Sequence, residues 1–185
     1  MRTCGECRLC CKVFPLPVLD KPGDEWCKFA DAAGCSVHDD GQPAVCREYA
    51  CYWLEHEEWP EEYRPDRIDI VVTDRGTLAV GGTEIPVLLF NQEHAKAHRR
   101  RPARTLIGQM VAQGVAVMLL CGPKLRVAYD RTRYPAISAE DIVVALRVDQ
   151  SRDAEELKQL GAVADDYRPL TQEEAQRLLG EPPAS

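Results

Sequence analysis

The amino-acid sequence crowds its cysteines into one end of the chain. Eight of the nine lie within the first 51 residues, namely Cys4, Cys7, Cys10, Cys11, Cys27, Cys35, Cys46 and Cys51. Thiolates are the ligands that zinc and iron–sulfur clusters select, and eight of them suffice for two four-thiolate sites. Because this segment has few large apolar residues, it needs a source of folding free energy other than packing. A structural zinc ion supplies on the order of 10 kcal/mol, so the pattern predicts a metal-binding module.

Disulfide bonding and simple apolar burial account for the clustered cysteines less well than metal binding does. A disulfide framework requires export, and the opening Met-Arg-Thr-Cys-Gly-Glu-Cys lacks the apolar core of a signal peptide. The longest apolar run, Val115 to Cys121, is too short to cross a membrane and is typical of a buried strand. We therefore expect a cytoplasmic chain with reduced thiols and no membrane association. Cys121, far from the other cysteines, fits the role of a small buried apolar residue.

The net charge of −7 is confined to the cysteine-rich region. Residues 1–62 contain six Lys and Arg against thirteen Asp and Glu, whereas residues 63–185 contain seventeen of each. Two divalent ions or two [4Fe–4S]²⁺ clusters leave the same excess of thiolate charge, so charge does not separate zinc from iron. Nucleic-acid-binding zinc modules need Lys and Arg to neutralise phosphates. No nucleic-acid binding is therefore expected through this region, while an acidic surface is compatible with a basic protein partner.

Patterns of regular secondary structure begin only after residue 67. The acidic stretch 55–67, which contains Pro60 and Pro65, is typical of a connector. Hydrophobic periodicity and turn signals predict the following elements in order: a hairpin over 68–80 turning at 74–76, a strand over 85–90, a helix over 102–113, a second hairpin over 115–129, and helices beginning near 138, 153 and 171.

These elements predict an α+β chain of two parts. The first, residues 1–58, is a small, irregular, metal-stabilised cysteine-rich module. The second, residues 59–185, is a mostly antiparallel sheet with helices on one side, on which the module packs, and it ends in a frayed tail.

The first four cysteines follow a recognisable spacing. Cys4-x2-Cys7 is a metal knuckle, and Gly5 eases its tight turn. Cys10 and Cys11 are adjacent, and neighbouring side chains of an extended backbone point in opposite directions. We therefore expect these two thiols to serve different sites or to bridge two closely spaced ions.

The other four cysteines are more widely spaced. Cys27 and Cys35 are consistent with a small loop or hairpin, and Cys46 with Cys51 is consistent with one helical turn or an irregular loop. His38 follows Cys35 at a spacing that zinc accepts, but with eight thiols available a surface or packing role is favoured. Spacing alone leaves open which four cysteines share a site.

These stretches resemble the YkgJ-type, or CxxCxxCC, family of zinc- or iron-chelating domains. The similarity covers the first third of the chain and rests on four segments: Cys4 to Cys11, Trp26-Cys27, Gly34 to His38, and Val45 to Cys51. It implies metal chelation by the eight cysteines. Some members of the family carry the motif ahead of flagellin lysine methylases with an implied iron–sulfur cluster. No methylase sequence is recognisable in this chain, so that activity is not carried over.

Three functions follow from these expectations. The first is a zinc protein whose closed four-thiolate sites stabilise an interaction module of undefined pathway. The second is an iron–sulfur protein with an electron-transfer or methylase-associated role. The third is a metal carrier whose adjacent thiols exchange an ion with a partner. No nucleophile–base pair, phosphate loop or dinucleotide motif indicates catalysis, so whether the chain is an enzyme stays open.

Overall fold

The computed structural model describes residues 2–38 and 41–147. The chain divides into two compact units, Met1–Ala139 and Glu140–Ser185. The predicted boundary between residues 58 and 59 falls inside the first unit. Among the described residues, no helix combines the length and the apolar composition needed to cross a membrane.

The first unit contains short helices, two sheets and one longer helix. The helices are α1 (Cys10–Val13), α2 (Ala44–Glu48), α3 (Tyr52–Glu55), α4 (Pro65–Ile68) and α5 (Arg101–Ala112), with 3₁₀ turns at Pro17–Leu19, Glu61–Tyr63 and Ala97–Arg99. The strands are β1 (Ala30–Asp31), β2 (Gly34–Cys35), β3 (Ile70–Val80), β4 (Thr83–Gln92), β5 (Ala116–Cys121) and β6 (Lys124–Ala128). The chain is therefore α+β, as predicted.

The larger sheet has the strand order β3-β4-β5-β6 and is mixed. Its outer pairings, β3 with β4 and β5 with β6, are antiparallel, and the central pairing of β4 with β5 is parallel. Parallel strands need a crossover connection, and α5 provides it between β4 and β5. The prediction of α5 was correct, because Ala103, Leu106 and Met110 recur at helical spacing and are buried.

The predicted turn at residues 74–76 is wrong. β3 continues through this point, and the register from Asp74↔Leu88 to Thr77↔Pro86 places one extra residue in β3, which is a β-bulge. The chain reverses instead at Gly81 and Gly82, whose φ angles of 55° and 80° suit the two-residue turn of a twisted hairpin.

In the second unit, residues 140–147 are helical, and Ile142 and Leu146 are buried. This agrees with the helix predicted to begin near residue 138. The helices predicted from residues 153 and 171 and the predicted frayed tail lie outside the described residues.

The cysteine-rich region shares one hydrophobic core with the larger sheet. Leu9, Val13 and Trp53 belong to the same cluster of buried side chains as Ile70 and Phe90, both of which are fully buried. Cys7 and Cys10 pack against this cluster, and the buried Cys51 is part of it. The metal-ligand candidates nearest the sheet are therefore positioned by apolar packing as well as by their own turns.

Arg2 joins the amino-terminal segment of the cysteine-rich region to residues 53–59. Its Nη1 donates hydrogen bonds to the carbonyls of Trp53 and His56, both at 2.9 Å. Its Nη2 donates to the carbonyls of Glu57, at 2.7 Å, and Trp59. The guanidinium also lies 4.4 Å from the centroid of the Trp53 ring. Only a planar fork of donors satisfies four carbonyls at once.

We expect Arg2→Ala to lower the free energy of unfolding by about 2 kcal/mol, because four carbonyls lose a charged donor. Arg2→Lys should recover less than half of the loss, since one ammonium cannot span the four acceptors. Arg47→Ala, at an exposed position of α2, is the matched control. Urea unfolding followed by circular dichroism measures all three, and equal stabilities of the two alanine variants would contradict this role.

Candidate metal centre

The predicted knuckle is present at Cys4 and Cys7. The Cys7 amide donates a hydrogen bond to the Cys4 carbonyl at 2.9 Å, which closes a tight turn. Gly5 lies in this turn with a φ angle of 54°, in the left-handed region that glycine adopts without strain.

Cys10 and Cys11 do not lie on extended backbone, so that premise of the sequence analysis was wrong. They are the first two residues of α1, and the Cys10 thiol donates a hydrogen bond to Cys11 Sγ. This hydrogen bond, together with burial, raises the pKa of Cys10. The same bond lowers the pKa of Cys11 to about 7. The two thiols are therefore neighbours, and the pKa of Cys11 is the lower of the two.

Backbone amides point at the sulfur atoms of Cys7, which is partly buried, and Cys51, which is buried. Cys7 Sγ accepts hydrogen bonds from the amides of Leu9 and Asp66. Cys51 Sγ accepts them from Trp53 and Leu54, in the first turn of α3. Burial still dominates and raises the pKa of Cys7 to about 11. Amide-to-sulfur hydrogen bonds stabilise thiolate charge, and they are a recurring feature of protein sites that hold metal–thiolate groups.

Cys35 lies in β2 of the small hairpin formed by β1 and β2, and Cys27 lies three residues before β1, in agreement with the predicted loop or hairpin. The Ala30 amide donates to the Cys27 carbonyl at 3.0 Å, and Ala30 pairs with Cys35 across the hairpin. The Cys27 amide donates to the Cys11 carbonyl, also at 3.0 Å, which fixes the hairpin against α1.

Most of the mutual effects among the eight thiols fall within two groups of four, which are joined at Cys11. We call the first thiol set Cys4, Cys7, Cys10 and Cys51, and the second thiol set Cys11, Cys27, Cys35 and Cys46. Each set takes its members from segments that are far apart in the sequence.

The first thiol set is linked by the mutual effects of its thiolates. Burial raises the pKa of Cys51, and the charge of Cys4 raises it further. After the hydrogen bond to Cys11 and burial, the charges of Cys4 and Cys7 contribute to the raised pKa of Cys10. Like charges disfavour ionisation only at short range, so these thiols are near neighbours.

The second thiol set is defined through Cys46, which lies in α2. Burial raises the pKa of Cys46, and the charges of Cys11, Cys27 and Cys35 raise it further. The two sets meet at Cys11, which neighbours Cys10 and whose charge, after burial, also raises the pKa of Cys4. Sequence spacing could not reveal this division, because it depends on how α1, α2 and the β1–β2 hairpin pack together.

The thiols of each set are neighbours without converging on a common point. Within the described residues, which include all nine cysteines, no three or more His, Cys, Asp or Glu side chains are arranged so that they could hold a metal ion. His38 is exposed, and its amide donates to the Cys35 carbonyl at 3.1 Å. Cys121 is partly exposed at the end of β5 rather than fully buried.

Sequence analysis missed two groups that support the thiols. Arg64 holds the Asp66 carboxylate with two hydrogen bonds, Nε to Oδ1 at 2.6 Å and Nη2 to Oδ2 at 2.8 Å, at the start of α4. This pair fixes the backbone whose amide points at Cys7. Lys21 is buried near Cys11, and its charge contributes to the lowered pKa of that thiol after the hydrogen bond from Cys10.

Comparison with known proteins adds no assignment to this geometry. No protein-family model matches the chain, and the searches of curated proteins and of solved structures found no significant match. The resemblance to the CxxCxxCC family therefore stays a prediction, and the chemistry of the site is argued from its own residues.

Proposed function

We propose that this chain is a metal-binding protein whose two thiol sets each hold one metal ion, with zinc as the physiological ion. The observation that carries the proposal is the clustering of eight cysteines whose mutual effects fall mostly within two groups of four. Four thiolates complete a tetrahedral zinc site and leave no open position for chemistry. The role inferred from closed sites is structural, namely to stabilise an interaction module.

The environment of the sulfur atoms supports this proposal. A bound cation offsets the cost of ionising buried thiols such as Cys7, whose pKa burial raises to about 11. The amides directed at Cys7 and Cys51 share the remaining thiolate charge. Both effects are useful to a metal–thiolate centre and have no evident purpose for neutral buried thiols.

The positions of the thiols also imply that metal binding and ordering are coupled. Because the thiols of each set are adjacent but not convergent, an ion has to draw four side chains and their segments together. The free energy of metal binding then becomes free energy of folding for the cysteine-rich region.

Anaerobic purification, followed by metal analysis and visible absorption of the same sample, tests this function. We expect colourless protein that contains about two zinc ions per chain, in keeping with two four-thiolate sites. A strong chelator should remove the zinc and increase the protease sensitivity of residues 2–51, which carry the eight cysteines.

Three other results of the same measurement would contradict the proposal. Brown protein with iron and acid-labile sulfide indicates the iron–sulfur alternative. Weak, substoichiometric and exchangeable metal indicates a carrier. Well-folded protein without any metal, with its thiols free or paired as disulfides, would exclude metal binding as the function of the cysteines.

A further inference from the structure

An open pocket of about 540 Å³ lies outside both thiol sets, between the segment 52–63, the hairpin of β3 and β4, and α5. This volume is within the range of small-molecule sites in proteins. None of the thiols lines it. Whatever the pocket binds is therefore separate from the metal ions proposed above.

Aromatic rings form one wall of the pocket. Trp59 lies between two tyrosines, with its ring centroid 4.7 Å from that of Tyr52 and 5.9 Å from that of Tyr63. Trp59 and Tyr63 are buried, so they are held in place by packing. Aromatic faces attract organic cations, and tryptophan attracts them most strongly.

The polar residues at the rim favour the same kind of ligand. Glu58 and Asp74 line the pocket and are exposed, and no Lys or Arg is among the described residues that line it. The floor includes the buried apolar side chains of Leu106 and Met110, and the neutral amides of Gln109 and Gln113 on the same helix also line the pocket. A ligand that complements the floor, the aromatic wall and the acidic rim of the pocket has an aliphatic body and a positively charged end.

We propose that this pocket binds an organic ammonium group carried on an aliphatic chain. The chain lies against Leu106 and Met110, and the ammonium lies at the rim between the aromatic wall and the carboxylates of Glu58 and Asp74. Such a group occurs both in free alkylamines and in the lysine side chain of a polypeptide.

The test compares n-butylammonium with its neutral counterpart n-butanol, using saturation-transfer NMR titrations observed on the ligand. We expect wild-type protein to bind n-butylammonium with a Kd on the order of 1 mM, and n-butanol about tenfold more weakly. The double variant Glu58→Gln, Asp74→Asn should lose about tenfold in affinity for the cation and keep its affinity for the alcohol.

The two substitutions preserve shape at exposed positions, and Asn at position 74 can still accept the Gly76 amide that now bonds to Asp74 Oδ1 at 2.7 Å. Glu84→Gln, an exposed charge removal on β4 outside the pocket, is the matched control and should bind like wild type. Any of three outcomes would overturn the proposal. Wild-type protein could bind the cation and the alcohol with equal affinity, or fail to bind the cation at tens of millimolar. The double variant could bind the cation as tightly as wild type does.

A further titration distinguishes the two sources of the ammonium group. If an acetylated and amidated Gly-Lys-Gly peptide binds about tenfold more tightly than n-butylammonium, the ligand is a polypeptide side chain. If the peptide binds equally or more weakly, the ligand is a free amine. Because no thiol lines the pocket, these titrations and the metal analysis test separate proposals.

Discussion

Replacing Cys51 with alanine should remove one of the two proposed metal ions and lower the free energy of unfolding by more than about 3 kcal/mol. Truncating a small buried side chain accounts for only about 1 kcal/mol of this loss. The rest comes from the first thiol set, where Cys51 is held by the amides of Trp53 and Leu54. Zinc content per chain and urea unfolding measure the two effects separately.

The assignment of the cysteines to two thiol sets also predicts how much metal is lost when two substitutions are combined. Adding Cys7→Ala to Cys51→Ala should release no further metal, because both residues belong to the same set. Adding Cys46→Ala should release the second ion, because Cys46 belongs to the other set. Effects within one site are not additive, whereas effects of independent sites are.

Cys121→Ala is the matched control for these variants, since it removes a thiol that lies at the end of β5, outside both sets. It should retain the full metal content. If Cys51→Ala kept all its metal, or if the Cys7 and Cys46 combinations lost equal amounts, the assignment of these cysteines to separate sets would be wrong.

The elements that sequence analysis placed correctly are those whose signals are local. The apolar spacing of Leu106, Ile107, Met110 and Val111 predicts α5, and Gly122-Pro123 predicts the turn between β5 and β6. Neither depends on a distant segment.

The error in β3 has a different origin. Asp74-Arg75-Gly76 and Gly81-Gly82 are both acceptable turns, so local chemistry could not choose between them. Strand pairing selects Gly81-Gly82 as the turn, because reversal at the two glycines lets the whole of β4 pair along β3.

Local sequence signals predict the arrangement of the candidate site even less well than they predict the turn after β3. Residue type identified the eight cysteines, but spacing could not assign Cys51 to the group of Cys4 and Cys7. That assignment follows from the packing of α3 into the core beside the knuckle. The contact between the Asp66 amide and Cys7 could not be predicted from spacing either, because α4 positions Asp66. Long-range packing sets these contacts, and no local pattern encodes them.

The second large effect is expected from Lys21, a buried cation that no sequence pattern singled out. Its side chain is 8% exposed. Nζ donates hydrogen bonds to the carbonyls of Lys12, at 3.1 Å, Pro22, at 2.9 Å, and Phe14. These three carbonyls belong to the last turn of α1, to the residue that follows it and to the loop that leads to Cys27. The ammonium therefore fixes the loop beside the second thiol set.

Lys21→Met keeps most of the aliphatic stem and removes the charge, so it isolates the contribution of the ammonium. We expect the free energy of unfolding to fall by about 3 kcal/mol, because three carbonyls lose their donor in a buried position. Lys28→Met removes a cation from an exposed position of the same region and should change stability by less than about 1 kcal/mol. Both are measured by urea unfolding of the protein as purified. If the two methionine variants proved equally stable, Lys21 would have no structural role beyond that of a surface charge.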